Sequence, residues 1–212
     1  MMSSNFAYYT ALAFEGVAGI FGIRLYEEPH YDVVARLGDR VEIRRYGPRL
    51  AAEVELSSSG QAKMSEAFGL LFSYIAGANH VEKSGSAKIA MTVPVEVRRN
   101  ENIAMTVPVQ VSEASGAVRM LFYLPTNLTA DTAPKPTDLR VRLIAVPGET
   151  IATLRFSGSA GDSGKRQLEL MDILKKSRWN PTGTPYQLSY DAPFTLPFLR
   201  RNEAAVAVAA VQ

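Results

Sequence analysis

Hydrophobic and polar positions alternate with period two along most of this chain, and twice the period lengthens to that of a helix. Tyr31-Asp-Val-Val-Ala-Arg-Leu37 runs into the turn Gly38-Asp39, then into Val41-Glu-Ile-Arg-Arg-Tyr46, closed by Gly47-Pro48. A third run, Leu50-Ala-Ala-Glu-Val-Glu-Leu56, ends in Ser57-Ser-Ser-Gly60. One charged and one apolar face per run predicts a meander of half-exposed antiparallel strands. From Gln61 to Ala76, Met64, Phe68, Leu71 and Ile75 recur at helical spacing, and Gly77 is a natural stop. Phe68 and Phe72, four apart, pair on one helix face. Core packing accounts for Met64, Leu71 and Ile75. It accounts less well for Phe72, which lies at the margin of the apolar stripe beside Ser65, Ser73 and Ala76.

A seven-residue phrase then occurs twice, as Ile89-Ala-Met-Thr-Val-Pro-Val95 and Ile103-Ala-Met-Thr-Val-Pro-Val109. Each copy alternates with period two and predicts a strand, the pair forming an antiparallel hairpin across the polar link 96–102. Proline has no amide proton for a ladder, so Pro94 and Pro108 belong at an edge, a bulge or a strand end. A further strand over 118–124 stops at Pro125. The segment 125–138, with three prolines, reads as a connection and as the boundary between two halves, 29–125 and 138–210. The second half repeats the first in outline. Strands over 139–146 and 150–156 flank Pro147-Gly148, and a helix over 163–177 turns Leu168, Met171 and Leu174 inward. Strands over 186–190 and 204–208 close the chain. Between them, 191–203 holds Phe194, Leu196, Phe198 and Leu199 on a proline-stiffened loop that reads as neither regular strand nor helix. Apolar residues on such a loop either plug a core or line a binding surface. The pattern predicts an α+β fold: a duplicated strand-helix-strand unit forming a distorted antiparallel β-barrel flanked by two α-helices.

At 212 residues and 47% hydrophobic, the chain can bury one substantial core. A net charge of +2 gives no strong field towards nucleic acid. The absence of cysteine excludes disulfides, zinc–thiolate sites, cysteine nucleophiles and thiolate ligation of haem. With His30 and His80 as its two histidines, a multi-histidine metal site is not expected. Residues 1–28 form a separate segment. Phe6 to Ile23 is apolar, but Glu15 near its middle would cost about 2.5–3.5 kcal/mol at a bilayer centre, and no Lys or Arg precedes Arg24. A short helix packed on the domain or on a membrane surface is the expectation, with a weak anchor or uncleaved signal as the alternative. The compartment expected is cytoplasmic, membrane-associated or periplasmic, in that order.

Five pieces in order resemble the SOUL haem-binding protein family: Val41-Glu-Ile-Arg-Arg-Tyr-Gly-Pro48, Lys88-Ile-Ala-Met-Thr-Val-Pro-Val95, Phe122-Tyr-Leu-Pro125, Arg155-Phe-Ser-Gly158, and Tyr190-Asp-Ala-Pro193 leading to Arg200-Arg-Asn-Glu203. The resemblance spans about 31–208 and implies the duplicated barrel fold, similar to that of gyrase-inhibitor-like effector-binding domains. It also implies non-covalent binding of haem or a related tetrapyrrole, between the first helix and the loop before the last strand. Carried over by position, the resemblance implies contacts from Phe68 and Phe72 on the helix and from Phe194, Leu196 and Phe198 on the loop; Met64 on the same helix is a further candidate contact. Positions that are basic in relatives are Ser65, Ser73 and Leu196 here, so rim charge falls to Lys63, Arg200 or Arg201. An axial histidine carried by one branch of the family is replaced by Arg45. Met91 and Met105 are expected in the core rather than on iron, and Thr92 and Thr106 as strand residues.

The first functional reading is therefore a tetrapyrrole carrier or buffer rather than an enzyme, in a bacterial setting. The chain carries no Gly-x-Ser-x-Gly and no metal cluster for the second reading, a hydrolase or tetrapyrrole-modifying enzyme. The third is an interaction module whose apolar loop docks a protein or membrane. Partners are thus the small molecule and a peripheral membrane contact through 1–28.

Overall fold

The computed structural model describes residues 27–57, 60–81, 85–99, 117–158, 162–191 and 195–211. Most of the N-terminal segment, the second copy of the repeated phrase with its hairpin, and Phe194 lie outside the described residues. The strands are β1 (Tyr31–Leu37), β2 (Val41–Tyr46), β3 (Arg49–Leu56), β4 (Asn79–His80), β5 (Val95–Arg99), β6 (Val118–Tyr123), β7 (Lys135–Pro136), β8 (Val141–Val146), β9 (Glu149–Ser157), β10 (Trp179–Pro181), β11 (Tyr186–Ser189) and β12 (Arg201–Ala210). The helices are α1 (Gln61–Ala76) and α2 (Ser163–Leu174). The class is α+β, as expected.

The chain divides into two compact units, one holding 29–31 and 46–149, the other 32–45 and 150 onward. In the α1 unit four antiparallel strands lie in the order β5-β6-β3-β8. β3 pairs with β6 through Ala51↔Tyr123 to Leu56↔Val118, and with β8 through Arg49↔Val146 to Val54↔Val141. In the α2 unit the order is β1-β2-β9-β12-β11, with β10 also on β12. This corrects the meander: β3 is not beside β2. The segments 41–56 and 141–156 are equivalent, residue n matching n + 100, and the burial of β3 is repeated position by position in 149–156. Each segment sends its first strand to the second strand of the other. The compact units are therefore cut near 45 and 149.

α1 follows its periodicity. Ala67, Leu71, Tyr74 and Ile75 are buried, packing with Ala52, Val54, Met120 and Phe122 of β3 and β6. Gly77, at φ 122°, supplies the left-handed turn that ends the helix. Tyr74 donates its hydroxyl to the Pro134 carbonyl at 2.8 Å, and burial pushes its pKa up to about 12. α2 stops at Leu174, earlier than 163–177 predicts, and its buried leucines are Leu170 and Leu174. Leu168 is 53% exposed. Two residues along a helix is about 200° of rotation, so Leu168 and Leu170 cannot both face inward.

The first copy of the repeated phrase is not itself a strand. Residues 86–94 form no strand, with a single bridge at Thr92, and β5 opens at Val95, directly after Pro94, which thus takes the strand-end position proline tolerates. The described part of the polar link, 96–99, continues β5, pairing Val95↔Phe122 to Arg99↔Val118. Met91 packs against the core containing Ile89 and Val95. The loop 191–203 also resolves further: Pro197–Leu199 is a short 3-10 turn, and Arg201-Asn-Glu203 already belongs to β12.

Candidate functional site

Side chains on a helix tilt towards its N-terminus, so Phe72 leans back over the preceding turn and meets Phe68. The two rings stack at 6.1 Å between centroids and 12° between planes. Phe68 in turn meets Phe122 edge-on at 5.4 Å and 67°. Phe68 and Met64 are half-buried against the core, whereas Phe72 is 49% exposed. The exposed positions around Phe72 are small: Ser65, Gly69, Ser73 and Ala76. This is an aromatic plate with a rigid backing and an open front.

Lys63 does not stand at its rim. Nine residues separate it from Phe72, about 900° at 3.6 residues per turn, which places the two on opposite sides of the helix. Its ammonium pairs with Glu66 at 2.7 Å, and Glu66 also accepts from Arg140 at 3.1 Å. Arg140 pairs with Asp138 at 2.8 Å, and the hydrogen bond from its guanidinium holds the Asp138 carboxyl at about 2.

In the α2 unit, Leu196, Phe198 and Leu199 stand exposed on the 3-10 turn, Phe198 most of all at 71%. The base of this loop is pinned. The Arg201 amide donates to Asp191 Oδ2 at 2.6 Å, the Tyr190 amide to the Arg201 carbonyl at 3.2 Å, and Arg200 Nε to the Thr195 carbonyl at 2.6 Å. Arg201 is itself part of a buried charge network. Its guanidinium pairs with Glu203 at 2.8 Å and Glu28 at 3.0 Å and lies 3.7 Å from the Tyr190 ring centroid. Its charge is engaged there by two carboxylates.

That network was not foreseen. Arg44 grips Glu203 through Nη1 at 2.6 Å and Nη2 at 3.1 Å, and Tyr190 donates its hydroxyl to Glu203 at 2.8 Å. Glu203 is fully buried and Arg44 nearly so. Burial alone would raise the Glu203 pKa, but the Arg44 and Arg201 guanidiniums and the Tyr190 hydroxyl outweigh it and hold the carboxyl below its ordinary range. A second buried set lies in the α1 unit. Arg49 sits 4.3 Å from the Tyr46 ring centroid and 4.4 Å from that of Tyr123, and pairs with Glu149. Tyr123 donates its hydroxyl to buried Glu96 at 2.6 Å, Arg98 pairs with the same carboxylate at 2.6 Å, and Thr92 donates to the Tyr123 carbonyl. Burial first, and then Glu96, push the Tyr123 hydroxyl well above its ordinary pKa. Asn202 donates to the Gly158 carbonyl at 3.2 Å. Arg44, Thr92, Tyr123, Gly158, Tyr190, Asp191, Arg201 and Glu203 come from the five motif pieces, so those pieces build the frame, while Phe72 and Phe198 supply exposed surface. The sequence signal was the charge itself, since Arg and Glu inside motifs on apolar strands must be paired if buried.

A family model described as SOUL heme-binding protein matches residues 26–207. The chain belongs to the SOUL haem-binding protein family. Curated proteins yield no match in sequence. Among solved structures, the SOUL chain here is similar to the EcmrR C-terminal domain, at 10% identity and TM-score 0.60, covering 81% of this chain and 98% of that one. It is also similar to two Listeria innocua proteins, each at 10% identity and covering 80% of this chain and 92% of the other. One is described as an uncharacterized conserved protein (TM-score 0.58), the other as a hydrolase (TM-score 0.57). These likenesses show a shared fold.

The residues of the α1 face fit the flat, apolar body of a haem. Iron is another matter: this face carries no imidazole, and Met64, its thioether, is turned against the core. His30, just before β1, and His80, in β4, are both exposed. Among the described residues no group of three histidine, cysteine, aspartate or glutamate side chains is placed to hold a metal. Among them, too, no helix is long and apolar enough to cross a membrane.

Proposed function

We propose that this SOUL-family chain binds haem or a related flat tetrapyrrole non-covalently on the exposed face of α1, for carriage or buffering. The observation that carries the reading is Phe72. A phenyl ring half exposed on a well-packed helix, backed by a second ring at 6.1 Å, is a surface prepared for a planar apolar partner. Phe68 and Met64 support the plate from behind. Bound haem would supply the spectroscopic signature and any redox chemistry; the protein would hold and shield the macrocycle.

Titrating haemin into the full chain tests this. A saturable, one-site change in the Soret band is expected. A response no different from haemin added to buffer would remove the haem reading.

A further inference from the structure

The two helices are internal duplicates, and they differ where the ligand is proposed to lie. Residue n of α1 corresponds to n + 103 near α2: the pattern of buried, half-buried and exposed positions over 63–73 is repeated without a mismatch over 166–176. The i,i+3 ion pair Lys63–Glu66 has its counterpart in Arg166–Glu169, and buried Ala67 and Leu71 correspond to Leu170 and Leu174. By the same offset, Phe72 matches Lys175 and Gly69 matches Asp172, all four exposed. The scaffold therefore accepts a full side chain at the position where α1 has none.

Nothing in the packing of α1 asks for that glycine. Gly69 has no positive φ, and a Cβ built on it would meet no atom within 4 Å. Glycine inside a helix is less favourable than any residue except proline, so an exposed helical Gly69 weakens α1 without a steric return. Its place supplies a reason. Gly69 lies three residues before Phe72, hence on the same exposed side of the helix, while the Phe72 ring stacks on Phe68 and leaves the space over Gly69 open. We propose that Gly69 is the specificity-determining residue of this face: the missing side chain lets a planar macrocycle lie flat against the helix beside Phe72, and any larger residue there props it off. The inference rests on the tetrapyrrole reading above and adds the requirement for a flat ligand approaching the backbone.

The test uses the full chain with Gly69→Ala, Gly69→Leu and, as a control in the duplicate helix, Asp172→Leu, each titrated with haemin and with protoporphyrin IX. Both Gly69 variants are expected to melt at or above the wild-type temperature. Gly69→Leu should bind both probes at least tenfold more weakly, Gly69→Ala by a smaller factor, and Asp172→Leu like wild type. If wild type binds neither probe, the reading beneath falls and this inference with it. If wild type binds and both Gly69 variants match it, the inference alone is wrong. Should Gly69→Leu fail to fold, the Gly69→Ala comparison decides: unchanged affinity overturns the role given to Gly69.

Discussion

Replacing Arg44 with alanine is expected to cost about 3–5 kcal/mol of folding stability, the range for removing one partner of a buried ion pair. The reason is not the lost attraction alone. Glu203 is fully buried, and without Arg44 its carboxylate keeps Arg201 and Tyr190 but loses two cationic hydrogen bonds, the shortest among them. For a domain of this size the loss corresponds to a fall of roughly 6–20 °C in thermal midpoint. The pH dependence distinguishes charge from packing. The Glu203 pKa in the folded protein lies below the ordinary value of 4.5, so its contribution is present above pH 4.5 and is lost as pH falls through the folded value. The gap between wild type and Arg44→Ala should therefore be widest near neutral pH and narrow on acidification below about pH 4.5. Calorimetry at a series of pH values measures it. A penalty under ~1 kcal/mol at pH 7, or one that does not change with pH, would contradict the role assigned to the network.

Phe72→Asp is expected to weaken haemin binding at least tenfold while the fold survives. An aromatic side chain offers roughly 150–250 Å2 in all, so a half-exposed Phe72 has about 100 Å2 left to cover. At ~25 cal/mol per Å2 that amounts to about 2.5 kcal/mol, where each ~1.4 kcal/mol is a factor of ten. The aspartate adds repulsion towards a dianionic ligand. Folding is little affected because the outer face of Phe72 is already in water. Phe72→Leu, which keeps an apolar surface, should retain most of the affinity. Titrations of the three proteins read the difference, and equal affinities would move the site away from this helix.

Local features were legible and partnerships were not. The bounds of α1 follow from apolar spacing and a terminal glycine, both contained within seventeen consecutive residues. The choice of strand partners is different. Val41–Tyr46 and Arg49–Leu56 look like neighbours because a short turn joins them, yet each pairs with the strand made by the duplicate segment. Duplication makes both pairings compatible with the same pattern. Leu168 and Leu170 were exchanged because two leucines at i and i+2 leave the phase of a short helix ambiguous. Glu96 read as part of a turn because its burial depends on Tyr123 and Arg98, and Tyr123 lies twenty-seven positions away. At the site, Phe72 stood out because it sits where the apolar stripe ends, a local signal. Arg201, a cation in a motif near an exposed loop, is paired with Glu203 and with Glu28, and the second partner is too remote in sequence to be signalled locally.

The proposed tetrapyrrole would lie flat on the face of α1. The most direct measurement is a set of amide and aromatic NMR spectra of the full chain with and without protoporphyrin IX, whose ring current displaces resonances of nuclei near its plane. Displacements should concentrate on Ser65, Gly69, Phe72, Ser73 and Ala76. Saturable binding that leaves residues 61–76 unmoved would contradict the account.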